Sequence, residues 1–466
     1  MFRKLTFAAL SFCLAAGTPG TLRYGAVPSG SSTRPVLLFI HGWNSDATTW
    51  SGSNAMESMA TGAGYRTAFL DIYADQSMWT NGPLINTAVD QVRSHFPGAT
   101  VDLVCHSKGG VDAQTATVYY GTASKVNRLI TLSSPHHGTP LADLAWSSWA
   151  GWLASLIGYK NEGNRVLQTG YMASFRAQTD AYAAAHTLPT FTAGGTKAGP
   201  FWSSYYWGGI VIGRTSDGVV PTDSSELSYQ TGRLFTRYWN HDEVHQGVNA
   251  WPYLATNLAQ AVAAKPLGIT DSLKVDAAPD PDPTLDRLYR GGVTQQGVAL
   301  FTFPINVGQQ RVELALETSQ RPRFVEAISP SGRVIRFRAA RHQGDGLLPN
   351  GTTTHLSLML PEAGSWRVQI TTQHEDAYLF LAQFPDDAGI RIPYAQALTL
   401  ARGPMDRQPI RVGGVVPEAV VATERILPPL RIMGLPAFKE PVILNQTLTL
   451  TWPDGRERSL ILTTPE

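Results

Sequence analysis

Apolar residues recur along this chain in two rhythms, and the change from one to the other falls near residue 266. In the first half, short unbroken apolar runs alternate with stretches of helical spacing. Val36–Ile40 is such a run, as expected of a strand buried on both faces. Thr67–Ile72, Val101–Cys105, Val126–Leu132 and Gly209–Gly213 read as further strands. Leu84, Ile85, Ala88, Val89, Val92 and Phe96 repeat at helical spacing, and Pro97-Gly98 supplies the stop. This βαβ alternation predicts a parallel sheet with helices on both faces.

Beyond residue 266 the helical rhythm vanishes. The acidic, proline-rich segment Ala277–Thr284 reads as part of a linker over 271–288. After it, Val298–Phe303, Val312–Glu317, Val334–Phe337, Leu356–Leu360, Trp366–Thr371 and Tyr378–Phe384 read as short strands separated by turn residues. That pattern predicts an all-β, sandwich-like region over 289–386, followed by a further β-rich stretch over 387–466. The expectation is a tethered, non-catalytic module that aids substrate attachment, stability or export.

Within the first half, residues 140–208 read as an insertion over the sheet edge. Thr139 is placed to cap a helix with Pro140 at its first position. Leu141, Leu144, Trp149, Trp152, Leu153, Leu156 and Ile157 follow at helical spacing, which suits a lid or a fixed cap.

Composition narrows the class. The chain has 466 residues, so more than one domain is expected; 43% hydrophobic and 16% charged residues describe a folded protein. A net charge of +1 offers no footprint for nucleic acid or for electrostatic membrane binding. Arg3 and Lys4, the apolar run to Ala16, and small residues up to Gly17 read as a signal peptide over 1–17, implying secretion to the extracellular space with the periplasm crossed in transit. That run is too short for stable membrane insertion. Of two cysteines, Cys13 would leave with the signal peptide, so Cys105 would have no partner for an intramolecular disulfide.

Four segments carry candidate chemistry. In Val101–Gly110 a buried strand runs into Ser107, then two glycines and a helix, the context a nucleophile elbow requires. Cys105 stands where a small glycine is usual. Ile40-His41-Gly42-Trp43 closes the first strand, where one backbone N–H of an oxyanion hole is expected; Trp43 and Lys108 are the two candidate donors. Asp217 sits on the turn Ser216-Asp217-Gly218-Val219, with Asp112, Asp143, Asp180 and Asp223 as competing carboxylates. His241 or His245 could supply the base, and the order Ser, Asp, His is the one such a fold uses.

These segments resemble those of bacterial secreted triacylglycerol lipases. The resemblance spans residues 34–262 and rests on Ile40-His41-Gly42-Trp43, His106-Ser107-Lys108-Gly109, Ser216-Asp217-Gly218-Val219 and Trp239-Asn240-His241. It implies an α/β-hydrolase domain over 18–270 and selects Asp217 over Asp223 and His241 over His245, so that loss of His245 should be mild. Some such lipases bind calcium through an Asp two residues past the catalytic His. Here Asp242 follows directly, so no metal is carried over, and no organic cofactor is expected. The partner expected is a lipid or polyester ester, met at an interface. A polyester depolymerase with the same triad is the alternative, and a non-catalytic adhesion protein a third reading.

Overall fold

The computed structural model describes residues 17–29, 33–147, 160–199, 203–260, 285–339, 351–387, 392, 417–428 and 438–466. The signal-peptide run to Ala16, the segment Ala277–Thr284, and Trp149, Trp152, Leu153, Leu156 and Ile157 lie outside the described residues.

The apolar runs of the first half become a seven-stranded sheet. Its strands are β1 (Leu22–Tyr24), β2 (Val36–Ile40), β3 (Arg66–Leu70), β4 (Val101–His106), β5 (Arg128–Leu132), β6 (Thr190–Gly195) and β7 (Gly232–Arg237). They lie in the order β1-β3-β2-β4-β5-β6-β7. Only β1 is antiparallel to its neighbour. The helices are α1 (Met56–Gly62), α2 (Met78–His95), α3 (Lys108–Tyr119), α4 (Pro140–Ala145), α5 (Glu162–Arg165), α6 (Thr169–Thr179), α7 (Ser204–Ile212) and α8 (Gly247–Leu258). Residues of α2 and α3 pack on one face of the sheet with Leu38, Ile40, Leu103 and Cys105. Those of α1 and α8 pack on the other with Leu37, Phe39 and Val104. Alternate residues of β2 and β4 thus enter opposite cores, which is why both strands read as unbroken apolar runs. This is the α/β-hydrolase architecture expected from the sequence, followed by antiparallel β-structure.

Three expectations need correction. Gly209–Gly213 is not a strand but the end of α7 and its cap, Gly213, at φ +68°. Ser203 caps α7 by accepting from the amide of Tyr206, and seven of its nine residues are buried. Burial all round makes a short helix indistinguishable from a strand by pattern alone. The stretch 140–208 is not one continuous insertion, because it contains β6, a member of the sheet paired between β5 and β7. Finally, β1 and β7 were not anticipated; β1 is half-buried, and β7 buries only Phe235.

The second half begins with β8 (Arg287–Val293), β9 (Val298–Ile305), β10 (Arg311–Thr318), β11 (Phe324–Ile328), β12 (Val334–Arg336), β13 (Arg338–Ala339), β14 (Thr352–Met359), β15 (Gly364–Thr371) and β16 (Ala377–Gln383). They form two antiparallel sheets, β13-β14-β10-β16-β8 and β12-β11-β15-β9, that share one core around Phe303, Trp366 and Phe380. A third sheet joins β17 (Glu418–Ile426), β18 (Ile443–Thr451) and β19 (Glu457–Pro465).

This half packs directly on the first. Leu141 and Leu144 of α4 and Trp207, Ile210 and Val211 of α7 share one buried cluster with Tyr289, Ala315, Leu379 and Leu381. Phe438 stacks on Trp79, with ring centroids 4.5 Å apart. Arg165 is buried and pairs with Glu440 at 3.0 Å. The region expected to be tethered therefore shares hydrophobic cores with the helices around the sheet edge.

Candidate active site

Ser107 lies between the end of β4 and the first residue of α3, with φ +54° and ψ −134°. A non-glycine residue held there stores about 1–3 kcal/mol of strain. Close packing on either side enforces the turn. A Cβ on Gly42 would lie 2.6 Å from Ser107 Cβ, and one on Gly109 would lie 2.2 Å from the His41 carbonyl oxygen. A Cβ on Gly110 would lie 2.0 Å from Ser134 Oγ. The glycines flanking Ser107 are thus demanded by the approach of the strand-end loops. Cys105, in place of the usual glycine, is buried in the core below.

Asp217 sits on the loop after α7, not at a strand end, and is buried. Its Oδ1 accepts from the amides of Val219 (2.9 Å) and Val220 (2.7 Å). Its Oδ2 lies 2.7 Å from His241 Nδ1, and the His241 amide donates to the Asp217 carbonyl at 3.0 Å. The carboxylate is therefore held on both oxygens and turned toward the imidazole. Burial acts to lower the His241 pKa, but the Asp217 charge and hydrogen bond overcome it and raise it above 6.5. His241 follows β7 and lies beside the elbow. Its carbonyl is 3.0 Å from His106 Nε2, and the two rings are 4.6 Å apart. The structure thus brings Ser107, Asp217 and His241 to one sheet edge, from the loops following β4, α7 and β7.

The competing groups are engaged elsewhere. Asp112 takes Lys108 Nζ at 2.7 Å and Asp223 takes Arg214 at 3.1 Å. Asp180 pairs with Arg176 at 3.2 Å. Asp143 accepts from the Thr169 amide and hydroxyl and from Thr463, and burial pushes its carboxyl up to about 6. His245 stacks on His106 at 4.0 Å and meets Thr49 Oγ1 at 3.2 Å; burial pushes its pKa down to about 4 against the nearby charge of Asp242.

Trp43 follows Gly42 in the loop beside Ser107. The amide of Lys108 opens α3, where a helix leaves its first N–H groups without internal partners. Sequence reading used Lys108 only for its amide and missed its side chain. The ammonium is fully buried and paired with Asp112, a pair whose i,i+4 spacing was visible in the sequence.

Residues 71–148 match the family of PGAP1-like alpha/beta domains. The fold is similar to that of a Bacillus licheniformis lipase, BlEst2, in its propeptide form, with 27% identity, 96% of this chain and 97% of that one covered, and a TM-score of 0.78. The mature form of the same lipase is 37% identical over 52% of this chain and 99% of that one, with a TM-score of 0.49. No curated protein matches. The fold and these likenesses define a carboxylic ester hydrolase. The chain belongs to the lipase and esterase family of the α/β-hydrolases.

Proposed function

We propose that this chain is a secreted triacylglycerol lipase that uses Ser107 as nucleophile, His241 as general base and Asp217 as its orienting acid. The observation that carries the reading is the buried Asp217–His241 pair, 2.7 Å apart, whose imidazole lies 4.6 Å from the ring of His106, the residue before the strained Ser107 at the end of a parallel strand. His241 takes the proton of Ser107 Oγ as that oxygen attacks the ester carbonyl. The amides of Trp43 and Lys108 bind the oxyanion, and collapse expels the alcohol with the proton from His241. Water, activated by the same imidazole, then attacks the acyl-enzyme and releases the acid. Asp217 fixes the Nδ1–H tautomer and offsets the imidazolium charge; both protons return, and no cofactor is consumed.

Activity on nitrophenyl esters, emulsified triglyceride and polyester film, measured in parallel, tests the substrate class. Turnover of triglyceride above that of film is expected; the reverse order would favour a polyester depolymerase.

The pH profile follows from His241. A base must be neutral, and this one is raised above 6.5 by Asp217. The acid limb of kcat/KM is therefore expected above pH 6.5, with activity lost as pH falls through it. In Asp217→Asn the limb should move to lower pH and the rate should drop. An unmoved limb would place the titrating group elsewhere.

The similar Bacillus licheniformis lipase was solved in a propeptide form, and this chain covers nearly all of it. We therefore read the second half of this chain, which carries none of the proposed catalytic residues, as a counterpart of such a propeptide. It buries the apolar faces of α4 and α7, and Val219 of the acid loop borders the same cluster. With a specific protease site placed within 266–284, cleavage of the folded chain should raise the rate on emulsified triglyceride while changing that on a soluble ester little. An unchanged emulsion rate after the halves separate would remove the masking role.

A further inference from the structure

Asp143 is a buried carboxyl that the proposed triad does not use, and β19 of the second half reaches it. Its Oδ2 lies 2.7 Å from Thr169 Oγ1, and its Oδ1 lies 2.9 Å from Thr463 Oγ1. The two hydroxyl oxygens lie 2.8 Å from each other. The carboxyl of α4, a hydroxyl at the start of α6 and a hydroxyl of β19 thus close a ring of oxygen–oxygen contacts. The backbones meet at the same place. The Gly170 amide donates to Thr463 Oγ1 at 2.7 Å, and Asn445 Nδ2 donates to the Asp143 carbonyl at 2.9 Å. A Cβ on Gly170 would lie 2.7 Å from the Thr463 backbone carbon.

Each contact in the ring needs one hydrogen to be a bond. Each hydroxyl supplies one, and the remaining one must come from the carboxyl. With a proton on Oδ2 every group is satisfied. Oδ2–H donates to Thr169 Oγ1, and the Thr169 hydroxyl donates to Thr463 Oγ1. The Thr463 hydroxyl donates to Oδ1, which also accepts from the Thr169 amide at 2.8 Å. With the carboxyl ionised, one pair of buried oxygens faces each other with no hydrogen between them. Burial acts in the same direction, pushing the carboxyl up to about 6 against the Thr169 and Thr463 hydrogen bonds and the Arg214 charge. Charged groups on the surrounding elements are spent on partners. Arg165 and Glu162 of α5 pair with each other, and Arg165 also with Glu440; Arg176 of α6 pairs with Asp180. Arg458 and Glu457 of β19 pair with Asp387 and Arg290, and Arg214 pairs with Asp223. Helix α7 carries no charged residue, and tyrosines on α6 and α7 stay neutral in this range.

We propose that this ring is a proton-linked latch: the second half closes on the first with a proton held among Asp143, Thr169 and Thr463, and gives it up on undocking. The proposal rests on the reading of the second half as the counterpart of a propeptide, and names what regulates its release. Undocking removes Thr463, so Asp143 meets water and keeps only the Thr169 donors, which suit an ionised carboxylate. Its pKa then falls back toward the usual carboxylate range. The docked value is the raised one. Docking is therefore strongest in acid, and the gain is lost as pH rises through about 6.

The test uses the full-length chain, cut after folding at a protease site placed within 266–284. Sedimentation over a range of concentrations gives the affinity of the two halves for each other. Wild type should bind about tenfold more tightly at about pH 5 than at about pH 7.5, after the same change in Asp143→Asn is subtracted. In Asp143→Asn an amide N–H takes the place of the carboxyl proton, so the latch should stay closed at both pH values. The subtraction cancels other groups buried between the halves, such as Glu313, Glu317 and His355. Thr463→Val opens the ring and should bind weakly without the Asp143 response; it is the reference if Asp143→Asn does not fold. An equal pH response in wild type and variant would overturn the proposal. Infrared spectra of the uncut chain, wild type minus variant, give a second reading. A protonated-carboxyl band that titrates near pH 6 is expected, and an ionised carboxylate throughout that range would overturn the latch. Halves that never part after the cut would sink the propeptide reading, and the infrared band then decides the ring alone.

Discussion

Ser107→Ala is expected to lower kcat on a soluble nitrophenyl ester by roughly 10⁴ or more. The change removes one oxygen and keeps the Cβ that lies against Gly42, so the turn at φ +54° and its packing survive. Thermal unfolding should match that of the wild type. Whatever rate remains reports the oxyanion amides and substrate binding, which act without a nucleophile. A folded variant with near-normal turnover would show that the elbow does not hold the nucleophile.

The second large effect separates two histidines four residues apart. His241→Ala should cost about as much in kcat as loss of the serine, because members of a triad act as a unit. His245→Ala should leave far more activity but lower stability, by about 2–3 kcal/mol, as truncation of a buried ring does. The His245 ring lies on His106 at 4.0 Å and edge-on to Trp50 at 5.4 Å. From sequence alone its loss looked mild; burial makes it a question of folding. Melting temperature and kcat measured on both variants decide the matter, and equal loss of kcat from His245→Ala would move the proposed base.

How much of this was legible beforehand depends on the range of the interactions concerned. Strands β2 and β4 were readable because both their faces are buried, so local sequence carries the whole signal. The elbow was readable because its glycines answer a local steric demand. Edge strands β1 and β7, only partly buried, left no such mark, and α7 imitated a strand because it is apolar all round.

By itself, the sequence determined the alternation of strands and helices, the β-rich second half and the segments bearing Ser107, Asp217 and His241, since each depends on neighbours within a few residues. Only the tertiary structure decided which carboxylate meets which partner. Asp112 was spent on Lys108, Asp143 on Thr169 and Thr463, and Asp217 was left facing His241 across 24 residues of chain. It also decided that the second half covers α4 and α7 instead of hanging from a linker. Pairings of that kind depend on where distant segments lie once the cores have formed, and no local pattern of apolar and polar residues encodes them.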